Sequence, residues 1–403
     1  MRRSDPLISE IAQAMLDDEL GEAICFDELA GRICVRGILP WEDVAKRAHR
    51  PWTPVDDSCG YAYAQDVFGC ASERDFQHAL SIVADKRRVN PVASILDGLP
   101  DWDGSCRVGS LMTAFLGAED GEYTREVERL LMGAAIARTF DAGCKFDYMP
   151  VLIGSQGIGK STFVRKLALD AALYTDSVVG IGTKQAAELV QGKWFVELAE
   201  LAAMRGAALE AVKAFITRQA DEYRMPYARH VESRPRRFVM VGTTNVREFL
   251  SDLTGNRRFL PVRCGERAIE ANLFSKDAIQ HFRQAWAEAY QGYKQGALGR
   301  SWQLTLSPSA SSQARVLQDL SGIDDPRTGI IEQWLGGLEA GSVICTVQAM
   351  EEALGIPREM QKRRDQMEVS ALLQNSISNL RPLDGKRRVG TYGVQRAFAI
   401  ERK

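Results

Sequence analysis

The sequence is poor in residues that would mark a metal-stapled or disulfide-stapled chain. Its 403 residues include four histidines (His49, His78, His230, His281), and its eight cysteines are scattered with no C-x-x-C pair. A structural zinc site is therefore not expected, and the cysteines read as reduced thiols of a cytoplasm. No apolar run reaches the ~18 residues a membrane helix needs. Met1–Asp5 leads into an amphipathic stretch without an apolar signal-peptide core, so neither a membrane partner nor export is expected. Net charge is nearly missing as well: 51 Lys and Arg oppose 53 Asp and Glu, a formal −2. That balance excludes a histone-like polybasic chain, but not a nucleic-acid partner, because charge can be segregated locally. Internal repeats and low-complexity tails are also missing, which argues against a solenoid.

What is present is an ordinary globular composition, 45% hydrophobic and 26% charged, sufficient for two or three domains at about 150 residues each. Residues 1–107 mix short helical and strand-like pieces and read as an accessory region. Residues 108–300 alternate apolar strands with amphipathic helices, the pattern of a parallel α/β sheet. Residues 301–324 are Ser-rich and read as a linker, although a Ser/Pro cluster at 307–312 also suits a helix cap. Residues 325–403 form a small basic module of three helical stretches and a wing-like Arg387–Val394 segment, a pattern that suits a winged helix used for DNA binding or for bracing.

The strongest local signal starts at the apolar strand Met149–Ile153. It continues through Gly154-Ser155-Gln156-Gly157-Ile158-Gly159-Lys160-Ser161-Thr162 into an amphipathic helix. This is G-x-x-x-x-G-K-[ST] in strand–loop–helix context, the phosphate-binding P-loop. The glycines let the backbone wrap phosphates as an anion nest, and the helix N-terminus adds partial positive charge. Lys160 is expected to reach the β- and γ-phosphates of ATP and Ser161 to ligate Mg²⁺. Further along, the apolar strand Trp194–Leu198 carries Glu197 and is followed by Glu200. One carboxylate would hold Mg²⁺ and the other would orient or deprotonate the attacking water, and spacing does not decide which.

Three later segments complete the pattern. Between 224 and 237 stand five arginines against one glutamate, with Tyr223, Tyr227 and His230 in or beside them. Basic residues interleaved with aromatics suit a nucleic-acid backbone and its bases, and Arg224, Arg229, His230 and Arg234 are the DNA-binding candidates. Next, Phe238–Asn245 is a buried strand with a polar end, where Asn245 is placed to position water. Finally, Arg257 and Arg258 precede another strand, and either guanidinium could stabilise charge on a γ-phosphate as an arginine finger.

Taken in order, these segments resemble the virulence-associated E family, P-loop ATPases of phages and mobile islands close to superfamily 3 and poxvirus-type helicases. Arg88-Val89-Asn90-Pro91, Asp101-Trp102-Asp103-Gly104 and Gly143–Asp147 match upstream. Gly192-Lys193-Trp194, Lys213-Ala214-Phe215, Arg224–Tyr227, Gly242–Asn245 and Gly255–Phe259 match downstream. The resemblance implies an AAA+-like core assembled as a homo-hexameric ring in a bacterial host cell, with ATP between subunits. Lys160, Ser161, Glu197 and Asn245 would then act in cis, Arg257 or Arg258 in trans. The basic turn would line a channel for single-stranded or forked DNA, with Arg229 and His230 at its tip. The expected activity is that of an ATP-dependent replicative DNA helicase; the alternative is an origin-binding protein or helicase loader with little unwinding. The first ~110 residues are too short for a primase domain and lack a triad of catalytic acids, so a separate primase is the expected partner.

Overall fold

The computed structural model describes residues 6–42, 49–204, 207–223, 232–250, 255–300, 303–322, 325–375, 377 and 379–401. The chain divides into two compact units, Met1–Phe249 with Gly255–Ser321, and Leu250–Thr254 with Gly322–Lys403. No helix among the described residues is long and apolar enough to cross a membrane.

After helices Ile8–Leu16 and Glu19–Ala23, the first unit forms a small sheet, β1 (Ile24–Asp27), β2 (Arg32–Val35), β3 (Arg50–Pro51) and β4 (Arg88–Val89), in the order β3-β2-β1-β4. The β1–β2 turn is set by Asp27, whose Oδ1 accepts the Leu29 and Ala30 amides at 2.8 Å each, and by Gly31 at φ +62°. Helices Pro54–Phe68 and Glu73–Lys86 start at Thr53 and Ser72, whose side chains accept the Asp56 and Asp75 amides. Arg50 forks between Asp56 and Glu42 at 2.7 Å and holds the Asp56 carboxyl down at about 2, with Thr53 adding to the effect against the cost of burial. Although histidine and cysteine are dispersed in the sequence, Asp27, Cys34 and His49 meet here, with donor atoms all within 4.8 Å of one another. His49 Nε2 and Asp27 Oδ2 stand 2.7 Å apart as a hydrogen-bonded ion pair.

The rest of the unit is built on five parallel strands, as the alternating pattern predicts. They are β5 (Met149–Ile153), β6 (Tyr174–Thr175), β7 (Phe195–Leu198), β10 (Val239–Thr244) and β11 (Phe259–Arg263). An antiparallel hairpin, β8 (Ala220–Tyr223) with β9 (Glu232–Pro235), interrupts the series between β7 and β10. The sheet order is β11-β5-β10-β7-β6, or 5-1-4-3-2 when the parallel strands are counted along the chain. β5, β7 and β10 are buried at every position, the near-continuous apolar reading of strands covered on both faces. Trp194 is core: its ring lies 4.5 Å from that of Trp286, and its Nε1 donates to the Ala135 carbonyl. Helix Glu122–Phe140 carries the fully buried Glu128, whose carboxylate accepts the amides of Gly109, Leu111 and Met112. The linker expected over 301–324 is, over Pro308–Leu320, a helix capped by Ser307 and tied to the core by Gln318 Nε2, which donates to the Phe259 carbonyl. The serines cap rather than loosen the chain, and the break between units falls at Ser321 and Gly322.

The second unit joins helices Pro326–Gly336 and Arg363–Asn375 to an antiparallel sheet of β12 (Val343–Cys345), β13 (Leu380–Arg388) and β14 (Val394–Ile400), ordered β12-β14-β13. Ile331, Leu335, Met350, Val369, Leu373 and Phe398 form its core. The wing-like segment of the sequence is the β13–β14 hairpin.

The Asp27 hydrogen bond raises the His49 pKa from 6.5 to about 9, against a smaller opposing effect of burial. Because the folded-state value is the higher one, the stabilisation is complete below pH 6.5 and is lost as pH rises through about 9. Thermal unfolding midpoints measured from pH 6 to about 10 should therefore fall more steeply for the wild type than for His49→Gln. Parallel curves would show that the pair contributes nothing.

Candidate functional site

The candidate cleft lies where β5, β7 and β10 end. At the C-terminal end of β5 the chain enters the 154–159 loop and then helix Lys160–Leu167. Two glycines there lie in close packing. A Cβ on Gly154 would lie 2.9 Å from the Cys264 carbonyl oxygen, and one on Gly159 would lie 2.7 Å from Leu273 Cδ1. Gly159 also holds φ +100° and Gly157 φ +86°, conformations open mainly to glycine. No side chain caps the helix that follows, which leaves its first amides directed at the loop.

Lys160 is buried, and its Nζ donates to the carbonyls of Gly154 (2.7 Å) and Ser155 (3.0 Å) and to Asn245 Oδ1 (2.8 Å). Burial holds its pKa below the ordinary lysine value. Thus the P-loop lysine and the polar end of β10 are already joined. Ser161 Oγ donates at 2.7 Å to Oε1 of Glu197, which is fully buried on β7. Thr243 Oγ1 donates to the same oxygen at 2.6 Å, and the Tyr174 hydroxyl to Oε2 at 2.5 Å. The two carboxylates left open by spacing are separated in space. Glu197 sits among hydroxyls beside Ser161, while Glu200 is exposed on the cleft wall and holds φ +55°. A non-glycine residue in that region costs about 1 kcal/mol, and such strain collects at functional sites. The cleft has a volume of about 450 Å³ and is lined by Gln156, Gly157, Gly159, Lys160, Ser161, Thr162, Ala199, Glu200, Thr243, Thr244, Asn245 and Phe274.

These donors fit a magnesium–nucleotide group: a loop with glycines at positive φ at 157 and 159, an uncapped helix start, a buried lysine, and a hydroxyl beside a buried carboxylate. Gly154, Ser155 and Ile158 complete the loop, although they do not line the cleft wall. Sequence reasoning missed Tyr174 and Phe274. Tyr174 stands on a two-residue strand and Phe274 in a loop, with no motif spacing to mark either.

Arg257 and Arg258 lie elsewhere. β11 runs parallel to β5 with Phe259 opposite Met149 and Arg263 opposite Ile153. The arginine pair, just before Phe259, therefore sits at the end of the sheet opposite the P-loop, about 16 Å away at ~3.3 Å per residue. They do not meet the cleft of their own chain. Arg257 is exposed, whereas Arg258 is half-buried and its Nη1 donates to the Gly255 carbonyl at 3.1 Å. Both line a second cavity of about 350 Å³ with Lys145, Asp147 and Thr217.

The basic turn divides in two. Arg224, Arg229 and His230 lie outside the described residues. Arg234 is packed on the β1–β2 turn, donating to the Ala30 and Gly31 carbonyls and to Gln191, in space that a Cβ on Gly31 would fill. Arg236 is buried and forks onto Asp221 with two 2.7 Å bonds, its guanidinium 4.0 Å from the Phe215 ring centre. Arg237 donates to the Thr139 carbonyl and to Glu28. Three of the turn's five arginines are thus tied into the fold.

No curated protein matches the chain. Among solved structures, the apo structure of the NrS-1 C terminal region (305–718) is similar over 99% of this chain and 100% of that one, with a TM-score of 0.50 and 12% identity. The A form apo structure of the same region is similar over 98% and 99%, again with a TM-score of 0.50 and 12% identity. At that identity the likeness is one of fold. The virulence-associated protein E-like domain matches residues 96–320, a span that starts near the end of helix Pro91–Asp97, runs to the end of the Ser307-capped helix and contains the whole cleft. The chain is a member of the virulence-associated protein E-like family.

Proposed function

We propose that this chain is an ATP hydrolase that drives DNA translocation and unwinding in the replication of a phage, prophage or mobile genetic element. The observation that carries the proposal is the joined pair of contacts at the strand ends, Lys160 with Asn245 and Ser161 with Glu197. Together they bring a phosphate-binding lysine, a metal-binding hydroxyl, a buried acid and a water-positioning amide into one cleft. The strand order 5-1-4-3-2 supports an AAA+-like core, because it sets the P-loop strand between the strand bearing Asn245 and the one preceded by the arginines.

In this reading Lys160 leaves the Gly154 and Ser155 carbonyls for the β- and γ-phosphates of ATP. Mg²⁺ held by Ser161 and Glu197 would neutralise charge on the phosphate oxygens. Tyr174 and Thr243 fix the carboxylate that holds it. Glu200, exposed on the cleft wall beside Asn245, takes the attacking water's proton, and Asn245 orients that water. Arg257, exposed at the far end of the sheet, serves the cleft of a neighbouring subunit, while Arg258 supports the turn. A ring of such subunits, with six as the family-like number, places every arginine at a neighbour's ATP. The β8–β9 hairpin faces single-stranded DNA. The second unit, a helix-rich body with a basic β-hairpin, acts as a winged-helix-like module that docks the forked or duplex region.

Lys160→Ala should lower DNA-stimulated ATP hydrolysis at least ~100-fold, and Arg257→Ala should lower it by about 10³ or more with ATP binding retained. Mixing the two inactive variants should restore part of the activity, because one intact cleft then meets one intact arginine. Mixtures no more active than their components would remove the in-trans assignment. Forked-duplex unwinding should follow the same order.

On the second unit, Lys386, Arg387 and Arg388 are exposed on β13. Replacing all three with alanine should reduce the salt dependence of forked-DNA binding by up to about 3 in log–log slope, with basal ATP hydrolysis unchanged. An unaltered slope would favour a bracing role for this unit.

A further inference from the structure

We propose that Phe274 is the platform on which the base of the bound nucleoside triphosphate stacks; this rests on reading the cleft as the nucleotide site. Phe274 is 76% exposed, although it follows the buried Leu273. A single exposed apolar side chain is ordinary in itself. What distinguishes this one is its place: it lines the P-loop cleft and is the one aromatic ring to do so among the described residues. The other lining groups are glycines, hydroxyls, amides, a lysine, a glutamate and a small alanine, which serve phosphate, metal and water. None of them offers the flat apolar face that a base requires.

The backbone that carries the ring is held in place. Asn272 Oδ1 accepts the Phe274 amide at 2.8 Å, and the Asn272 carbonyl accepts the Ser275 amide at 3.1 Å, so the backbone turns tightly at this point. Leu273 packs the turn against the loop itself, its Cδ1 lying 2.7 Å from where a Cβ on Gly159 would stand. Further back in the same segment, a Cβ on Gly265 would lie 2.9 Å from Ile158 Cδ1. The 265–274 segment therefore runs along residues 158–159 and delivers an exposed ring beside the phosphate cradle. Stacking reads the face of a base and not its edge, so such a platform favours the larger purine rings over pyrimidines.

Binding of ATP and of inorganic tripolyphosphate, each with Mg²⁺, to the full-length chain separates the base from the phosphates. Phe274→Ala should weaken ATP roughly 10-fold or more and leave tripolyphosphate affinity unchanged. Phe274→Trp should retain ATP affinity, and its fluorescence should be quenched by ATP but not by tripolyphosphate. Unchanged ATP affinity in Phe274→Ala, or equal weakening of both ligands, would overturn the platform. Lys160→Ala tests the underlying reading separately: if it leaves tripolyphosphate binding intact, the cleft is not the phosphate site, whatever Phe274 does.

Discussion

The buried carboxylate of Glu197 is the contact on which the cleft edge of the sheet depends. Taking a carboxylate out of water costs several kcal/mol unless other groups solvate it. Here three hydroxyls do so, from Ser161 at the head of the P-loop helix, Tyr174 on β6 and Thr243 on β10. Hydrogen bonds to a charged group contribute about 1.5–3 kcal/mol each, which is enough to offset that cost only when all three are formed. Four consecutive elements of the sheet must therefore be in register for the acid to be tolerated. The same register sets the lysine against Asn245, and both line the cleft.

Parallel strands impose a second constraint. Because β5 and β11 run the same way, a residue just before β11 and a residue just after β5 lie at opposite ends of the sheet. Arg257 and the P-loop cannot serve the same nucleotide within one chain. On the proposed reading, a nucleotide that needs both would be completed by a second copy, and self-association and chemistry would be linked through this one placement.

Charge is handled locally throughout. The formal total of −2 conceals a basic turn, yet Arg234, Arg236 and Arg237 within it are used to fasten the hairpin to the β1–β2 turn, to Asp221 and to Glu28. Counting arginines in the sequence overstates the charge free to meet a polyanion. The β13 hairpin is the contrasting case, where Lys386, Arg387 and Arg388 remain exposed.

The sequence by itself determined what depends on neighbours along the chain. The strand, glycine loop and helix over 149–167 were legible because the glycines answer to local backbone conformation. The parallel sheet was legible because doubly covered strands are apolar throughout, and the family because its short motifs keep their order. Even the cap on the Ser307 helix could be read among the alternatives, since capping is a three-residue interaction. Only the tertiary structure decided what depends on neighbours across the sheet. It placed Glu197 rather than Glu200 beside Ser161, and it left Arg257 exposed while folding Arg258 onto Gly255. It also drew in Tyr174 and Phe274, and it converted three of the five arginines of a basic island into structural clamps. Strand order and register set those outcomes, and they are fixed by the simultaneous packing of segments up to about a hundred residues apart, which no local spacing encodes.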